Sequence, residues 1–432
     1  MHIKKLNIEN FRGIRQMELE LHPKMNVFIG INGAGKSSVL DALGYLLRPP
    51  VLFFSGWSSG MREFSRLLSE TNDFPEHEIH NGLQESNLEL TFAKKGLEDK
   101  GWRLCSSNVP HKTSDKSSDR PRPNIFDYDI WQPYFVYGDD DNRCSSLVVY
   151  YRVHRRVEEK VSIDAWTSRN FRKMDAYVDA LAPNVDFKEF FEWFRNREDL
   201  EYEERANEIN ERDSQLECVR KVIGIFCDAF KDVRVHRRDP LRMVVTKNDR
   251  ELRIDQLSDG EKCLLAMVGD LARRMAIANP SLDDPTEGKG IVLIDEVDLH
   301  LHPQWQRMIL PRLMTTFPNC QFIVTTHSPQ ILGELKSEYV IRLMETESGI
   351  KAIPANGETF GLTSNDILER QMETSERNEN VQDTIEEAFL AIERSNLDRA
   401  KELRAKLTES AKNIPELVSL DMRISRKEVT GK

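Results

Sequence analysis

The sequence lacks long apolar runs: nowhere does it approach the ~18–20 consecutive apolar residues that a membrane span requires. Cysteine is scarce and scattered. The six residues, Cys105, Cys144, Cys218, Cys227, Cys263 and Cys320, form no Cys-x-x-Cys pair, which argues against a zinc knuckle or a disulfide framework and for reduced thiols. An excess of basic charge is also missing. A formal net charge of −11 is not that of a domain that captures nucleic acid by bulk positive charge. Two basic islands, Arg152-Val153-His154-Arg155-Arg156 and Arg234-Val235-His236-Arg237-Arg238, could still meet DNA. The opening Met1-His2-Ile3-Lys4-Lys5 has no apolar block of the signal-peptide kind, so the expected compartment is the cytoplasm. No heptad pattern is sustained, which excludes a long coiled coil.

What is present is a globular, water-soluble composition, 39% hydrophobic and 31% charged. The length suits one large domain with an accessory part, or two to three domains. Ile3 to Phe11, Met17 to Leu21 and Val27 to Ile29 read as strands, the last short and suited to burial. A helix should come after the glycine-rich stretch behind them, with Val39, Leu40, Leu43, Leu46 and Leu47 on its apolar face and Pro49-Pro50 ending it. Leu88 to Phe92, Trp102 to Cys105 and Ser146 to Val153 have strand character, and Asn108 to Pro123 reads as an exposed polar loop. Farther on, Phe187, Phe190, Phe191 and Phe194 line a helical face beside Trp193. The charge-dense Glu198 to Arg212 is expected to be a solvated amphipathic arm. Gly290 to Ile294 and Cys320 to Thr325 are two further buried-type strands with a helix between them. Near the end two short amphipathic helices are expected. Ile385, Ala388, Phe389 and Ile392 line one; Leu397, Ala400, Leu403 and Leu407 line the other, with Ser395-Asn396 as their turn.

Four segments carry chemistry. Gly30-Ile31-Asn32-Gly33-Ala34-Gly35-Lys36-Ser37 fits G-x-x-x-x-G-K-[ST], after a buried strand and opening a helix as the pattern requires. Backbone N–H groups of Asn32, Gly33, Ala34, Gly35, Lys36, Ser37 and Ser38 can wrap phosphates, and the helix N-terminus adds favourable partial charge. Lys36 would reach the β- and γ-phosphates of ATP, and the Ser37 hydroxyl would hold Mg²⁺. Ile291-Val292-Leu293-Ile294-Asp295-Glu296 delivers two acids to a sheet edge. Asp295 can bind the metal through water and Glu296 can polarise an attacking water. Alone, that segment is as readily a strand with an acidic turn; the glycine loop decides between them. Leu257-Ser258-Asp259-Gly260-Glu261-Lys262 opens an apolar helix, as any serine-capped start does. Thr325-Thr326-His327-Ser328-Pro329 closes a strand, where a lone histidine is more often structural than chemical. Between these last two lies Val297-Asp298-Leu299-His300-Leu301-His302-Pro303. His300-x-His302 has no further ligand nearby and is read as packing or dimer contact, not as a metal site.

In their order along the chain the segments resemble the ABC-type ATPases, whose signature is L-S-G-G-Q or a close variant. Ser258 and Gly260 are kept, and Asp259 and Glu261 stand at the variable places. The resemblance implies an α/β fold: an ABC-type P-loop ATPase head of mixed β-sheets flanked by helices, with a helical insertion and C-terminal helices. It implies that His327 contacts the γ-phosphate and that Asp298 communicates across a dimer. It also implies that Ser258, Asp259, Gly260 and Glu261 act in trans on the phosphate loop of a second copy. The expected division is 1–165 and 246–370 as the two ATPase lobes, 166–245 as the helical insertion and 371–432 as the C-terminal helical segment.

Asn10-Phe11-Arg12-Gly13 and Asp295 to Pro303 resemble the RecF/SMC/OLD branch, whose members are DNA-associated and not transporter subunits. Val149 to Arg155 and Phe190-Phe191-Glu192-Trp193-Phe194 resemble the middle segment of prokaryotic defence ATPases in this branch, and the C-terminal helical pair with Asn396-Leu397-Asp398-Arg399-Ala400 is similar to that of the PtuA ATPases of Septu anti-phage systems and retron-associated relatives. This implies a slow, regulatory ATP hydrolase, assembled as a homodimer or higher homo-oligomer and independent of membranes. Its implied partners are DNA and an HNH nuclease subunit of the PtuB kind. A RecF-like clamp for DNA repair is the alternative. The chain has no Asp-x-Asp after residue 345, as the Toprim domain of an OLD nuclease would need, so nuclease activity is not expected in it. Gln132 is the one candidate for a glutamine loop, and the basic islands could equally lie beside the chain's own nucleotide.

Overall fold

Alternation builds the first sheet. Strand β1 (His2–Phe11) buries Ile3, Leu6, Ile8 and Phe11 and turns the residues between them outward. It pairs antiparallel with β2 (Ile14–Glu20), setting Leu6 opposite Leu19 and Ile8 opposite Met17. On its other side β4 (Glu85–Ala93) sets Leu90 and Leu88 against the same two residues, and β5 (Lys100–Ser107) completes the order β2-β1-β4-β5. A slip by one residue would turn this apolar face to water, so the pattern fixes the register. The computed structural model describes residues 1–56, 76–93, 100–107, 145–153, 171–182, 187–207, 212–238, 241–347, 349–372 and 378–430. The expected Asn108–Pro123 loop, Gln132, Cys144 and His154-Arg155-Arg156 lie outside the described residues.

The second sheet carries the site. Its order is β13-β12-β3-β11-β10-β6, with β3 (Met25–Ile29), β6 (Leu147–Tyr151), β10 (Gly290–Ile294), β11 (Cys320–Thr325), β12 (Val340–Thr346) and β13 (Gly349–Pro354). All pairs are parallel except β12–β13. Every residue of β3, β6, β10 and β11 is buried, as expected of parallel strands covered on both faces. A third sheet, β7 (Phe230–His236), β8 (Arg242–Lys247) and β9 (Arg250–Arg253), is antiparallel.

Helix α1 (Lys36–Gly56) corrects one expectation: it runs through Pro49 and Pro50. An interior proline costs ~3 kcal/mol by the lost N–H bond and the ring clash. Here both rings are buried together with Leu46, Leu47 and Val51, so apolar burial offsets the broken ladder.

Helix α2 (Phe187–Ala206) presents Phe187, Phe190, Phe191, Trp193 and Phe194 to the core, as its spacing predicts. The solvated helical arm expected over Glu198 to Arg212 is observed in part: it is the end of α2 itself, exposed over residues 202–206 but not throughout. Glu198 and Glu201 are buried, because α2 packs against α3 (Ser214–Phe226) and β7. Glu198 accepts from the Val235 N–H at 3.0 Å and pairs with Arg220 at 3.0 Å and Arg237 at 3.2 Å. Burial outweighs these donors and holds its carboxyl above the usual carboxylate range. Two arginines of the second basic island are likewise matched with acids. Arg237 also reaches Asp199 at 2.7 Å, and Arg234 pairs with Glu251 at 2.6 Å and Asp232 at 3.1 Å.

Helix α4 (Asp259–Ala278) is almost wholly buried, and α5 (Pro303–Thr316) lies between β10 and β11 in sequence. Contacts divide the chain into Met1–Leu362 and Thr363–Lys432. The second unit holds α6 (Ser364–Arg370), α7 (Glu379–Glu393), α8 (Leu397–Ser410) and α9 (Glu416–Thr430). Two amphipathic helices were expected beyond residue 370 and α9 is a third. Leu417, Leu420 and Ile424 pack from it onto Ile385, Ala388, Ile392, Ala400, Leu403 and Leu407. No helix among the described residues is long and apolar enough to cross a membrane.

Candidate functional site

Strand order makes the site. β11 lies between β3 and β10, with Thr325 opposite Phe28 and Val324 opposite Ile294. Three parallel strands therefore end side by side, and their C-terminal extensions meet at one edge: the glycine loop, the Asp295–Glu296 pair, and Thr326–His327. A crevice at the carboxyl ends of parallel strands is where open α/β sheets bind ligands.

The glycine loop turns tightly against β12. Gly30 has φ +150°, and a Cβ there would fall 2.5 Å from the Leu343 carbonyl oxygen, so no side chain fits. The buried Lys36 ammonium donates to the Gly30 and Ile31 carbonyls at 2.8 and 3.0 Å, lying over its own loop. Desolvation lowers its pKa, against the pull of Asp295, Glu296 and Asp298. The Ser37 hydroxyl donates to Asp295 Oδ1 at 3.2 Å across 258 residues of chain. A hydroxyl and a carboxylate in contact at a helix N-terminus form the hard oxygen pair that Mg²⁺ takes alongside phosphate oxygens and water. These two residues fit that ion.

Asp295 is buried, its N–H given to the Tyr151 carbonyl of β6 at 2.8 Å. Glu296 comes next, in the left-handed region at φ +47°. Asp298 Oδ1 accepts from Thr326 Oγ1 at 2.6 Å and from the His327 N–H at 3.3 Å, so the aspartate loop braces the histidine turn of its own chain. Burial, and then the charge of Lys36, lower the His327 pKa below its ordinary value, which favours a neutral ring. His302 caps α5, its Nδ1 accepting from the Gln304 N–H at 3.3 Å.

Ser258 caps α4 in a capping box with Glu261. Its hydroxyl donates to Glu261 Oε2 at 2.8 Å and its N–H to the same oxygen at 3.0 Å. Glu261 also pairs with Lys247 of β8. Burial opposes ionisation, but the Lys247 and Ser258 bonds hold this carboxyl below the usual range. Asp259 is exposed. Gly260 is glycine for space: a Cβ would lie 2.3 Å from the His300 carbonyl oxygen. The signature turn therefore rests on the segment just after Asp298, not on the glycine loop of its own chain.

Reading the motifs alone misses two clusters. Arg12, at φ +48° in the β1–β2 turn, joins Asp41 of α1 at 2.6 Å and Glu78. Arg152 and the Tyr150 hydroxyl reach the other Asp41 oxygen at 2.9 and 3.1 Å. Asp41 thus ties the helix after the glycine loop to the end of β6. Deeper in α4, Asp270 accepts from Arg273 and Arg274, each at 2.7 Å, and from the Tyr151 hydroxyl at 3.0 Å. Arg274 also donates to the Ala176 and Val178 carbonyls at 2.8 and 2.7 Å.

Residues 1–117 match the family described as "AAA ATPase domain". Residues 151–333 match that described as "AAA domain, putative AbiEii toxin, Type IV TA system". The chain is 27% identical to "Retron Ec83 probable ATPase" of Escherichia coli, with 87% of this chain and 77% of that one covered. It is 28% identical to "Retron Vc95 probable ATPase" of Vibrio cholerae serotype O1 biovar El Tor, covering 87% and 80%. With "Septu protein PtuA" of Bacillus thuringiensis it shares 22% identity over 86% of this chain and 84% of that one. The chain thus matches AAA ATPase families over these two stretches, and it is similar to retron ATPases and to Septu PtuA proteins along most of its length.

Proposed function

We propose that this chain is the ATPase of an anti-phage defence complex of the Septu and retron type, in which Mg-ATP binding and hydrolysis control a separate HNH nuclease subunit acting on DNA. The observation that carries the reading is the meeting of Lys36, Ser37, Asp295, Glu296 and His327 at one sheet edge, in a chain similar to retron ATPases along 87% of its length. The N–H groups of Asn32 to Ser38 cradle the phosphates, with Lys36 on the β- and γ-phosphates. Ser37 and Asp295 would hold Mg²⁺, which when bound would neutralise charge on the phosphate oxygens. Glu296 polarises the attacking water, and a neutral His327 hydrogen-bonds the γ-phosphate. Two copies clasp head to tail, each glycine loop completed by Ser258, Asp259, Gly260 and Glu261 of the other. Asp298 carries the state of one site towards the dimer contact, since it braces the histidine turn and the signature glycine packs two residues beyond it. Turnover is slow and serves regulation. The nuclease chemistry belongs to the partner, and the helices of 371–432 are its docking surface.

The test is Glu296→Gln. Hydrolysis should fall by ~10²-fold or more, as for loss of a general base, and ATP should hold the variant as a dimer in size-exclusion chromatography with light scattering. Hydrolysis at the wild-type rate would remove the role given to Glu296. Co-purification with the product of a neighbouring nuclease gene tests the complex. A chain shortened by residues 380–432 should lose that partner, and retained binding would rule out the docking surface.

A further inference from the structure

The two carboxylates after β10 share a partner on the next strand. Thr325, the last residue of β11, is fully buried. Its Oγ1 donates to Asp295 Oδ1 at 2.6 Å and accepts from the Glu296 N–H at 2.7 Å. Its carbonyl accepts from the Val297 N–H at 3.0 Å. One residue therefore grips the chain on both sides of Glu296. A hydroxyl has a single hydrogen; because Asp295 takes it, the amide of Glu296 meets a lone pair, and both bonds are oriented. Glu296 needs such a grip. A non-glycine residue in the left-handed region costs ~1–3 kcal/mol and persists only where its surroundings hold it.

We propose that Thr325 is a positioning residue for ATP hydrolysis. Its hydroxyl sets the Asp295 oxygen that also receives Ser37, and it holds the turn from which the Glu296 side chain projects. Thr326 does the corresponding work one residue on, bonding Asp298 at 2.6 Å. The proposal rests on the reading of Asp295 as metal-binding and Glu296 as the group that polarises water.

Volume and hydroxyl can be separated at this position. Valine keeps the shape of threonine without its hydroxyl, and serine keeps the hydroxyl without its methyl. Steady-state ATP turnover of the full chain should show kcat falling by ~10- to 100-fold in Thr325→Val, as a misplaced catalytic group costs. KM should stay within about threefold, and Thr325→Ser should keep kcat within about threefold of wild type. A packing role predicts the reverse order, with serine the poorer, and that order overturns the proposal. So does a wild-type kcat in Thr325→Val. Should the valine variant not fold, Thr325→Ala measured against Thr325→Ser decides, since they differ by the hydroxyl alone. Alanine slower by tenfold or more supports the assignment and equal rates overturn it. Glu296→Gln in the same assay isolates the underlying reading. If it loses turnover while Thr325→Val keeps it, Thr325 alone is wrongly assigned. If Glu296→Gln turns over normally, the carboxylate reading falls and this proposal with it.

Discussion

Asp270→Asn removes one charge from the core of helix α4 and changes almost nothing in volume. Asp270 and Arg273 are each 1% exposed and Arg274 is 4% exposed, so the two guanidiniums cannot recover water when their shared carboxylate is neutralised. Removing one member of a buried ion cluster costs ~3–5 kcal/mol, mostly the penalty of the charge left behind. With a urea m-value of about 3 kcal/mol/M, that lowers the unfolding midpoint by about 1–1.7 M. The assay is tryptophan fluorescence in urea. All six tryptophans lie before residue 363, so the signal reports only the Met1–Leu362 unit. A midpoint lowered at unchanged m is expected. The acid limb gives a second, independent check. Burial pushes the Asp270 carboxyl up, but Arg274 and Arg273 outweigh it and hold it at about 2, below its ordinary 3.8. A depressed carboxylate contributes stability that is present above the unfolded pKa and lost as pH falls through the folded one. The gap between wild type and Asp270→Asn should therefore narrow as pH drops from 4 towards 2. A variant with the wild-type midpoint at pH 7, or a gap that does not change in acid, would refute the argument that this charge cluster holds α4 in place.

Gly260→Ala should nearly abolish ATP hydrolysis and cost ~1–3 kcal/mol of stability by overpacking, because its Cβ would lie 2.3 Å from the His300 carbonyl oxygen; activity and urea midpoint measured together check this. His327, its pKa lowered by burial and Lys36, should keep kcat/KM for ATP from falling until the pH is below 6.5, since the neutral ring persists there; an acid limb above 6.5 assigned to His327 would contradict it. Leu403→Asp should unfold the α7–α9 cluster, because Leu403 is 2% exposed and an unpaired buried charge costs ~4 kcal/mol or more. Circular dichroism should lose helix, and limited proteolysis should cut within residues 378–430. DNA affinity, where present, should respond little to Arg234→Ala or Arg237→Ala, because both guanidiniums are already paired with acids; filter binding at two salt concentrations measures it.

The features legible in the sequence were those that are contiguous and constrained by backbone chemistry. Gly30 to Ser37 could be read because a phosphate loop needs those conformations in that order, and Ile291 to Glu296 because a doubly covered strand must be apolar until it leaves the sheet. Their assembly at one edge was implied by three buried-type strands and the family order of motifs. The features that escaped depend on partners far away in sequence. Glu198 looks like one more charge in a solvated run until Arg220 and Arg237 arrive from α3 and the end of β7. Pro49-Pro50 read as a helix stop because local cost is visible in a sequence, whereas the burial that offsets it is not. Helix α9 is different. Leu417, Leu420 and Ile424 keep helical spacing, so this element is local and legible in the sequence.

Thr325 shows why motif reading stops short even where it succeeds. Within Thr325-Thr326-His327 the histidine draws the chemical interest, being the group that can meet a phosphate. The hydroxyl two residues earlier has no such appeal, and in a strand it is a common β-branched choice. Its importance appears only once β11 is placed beside β10, where the same oxygen meets Asp295 and the amide of Glu296. Strand adjacency converts an ordinary residue into the one that connects two motifs. The contact of Gly260 with the His300 carbonyl does the same for the signature turn and the aspartate loop. Both contacts lie within one chain: one braces the carboxylates expected at its own ATP, the other a glycine expected to act across a dimer. The left-handed turns at Glu296 and His300 are the places where these two contacts meet the backbone.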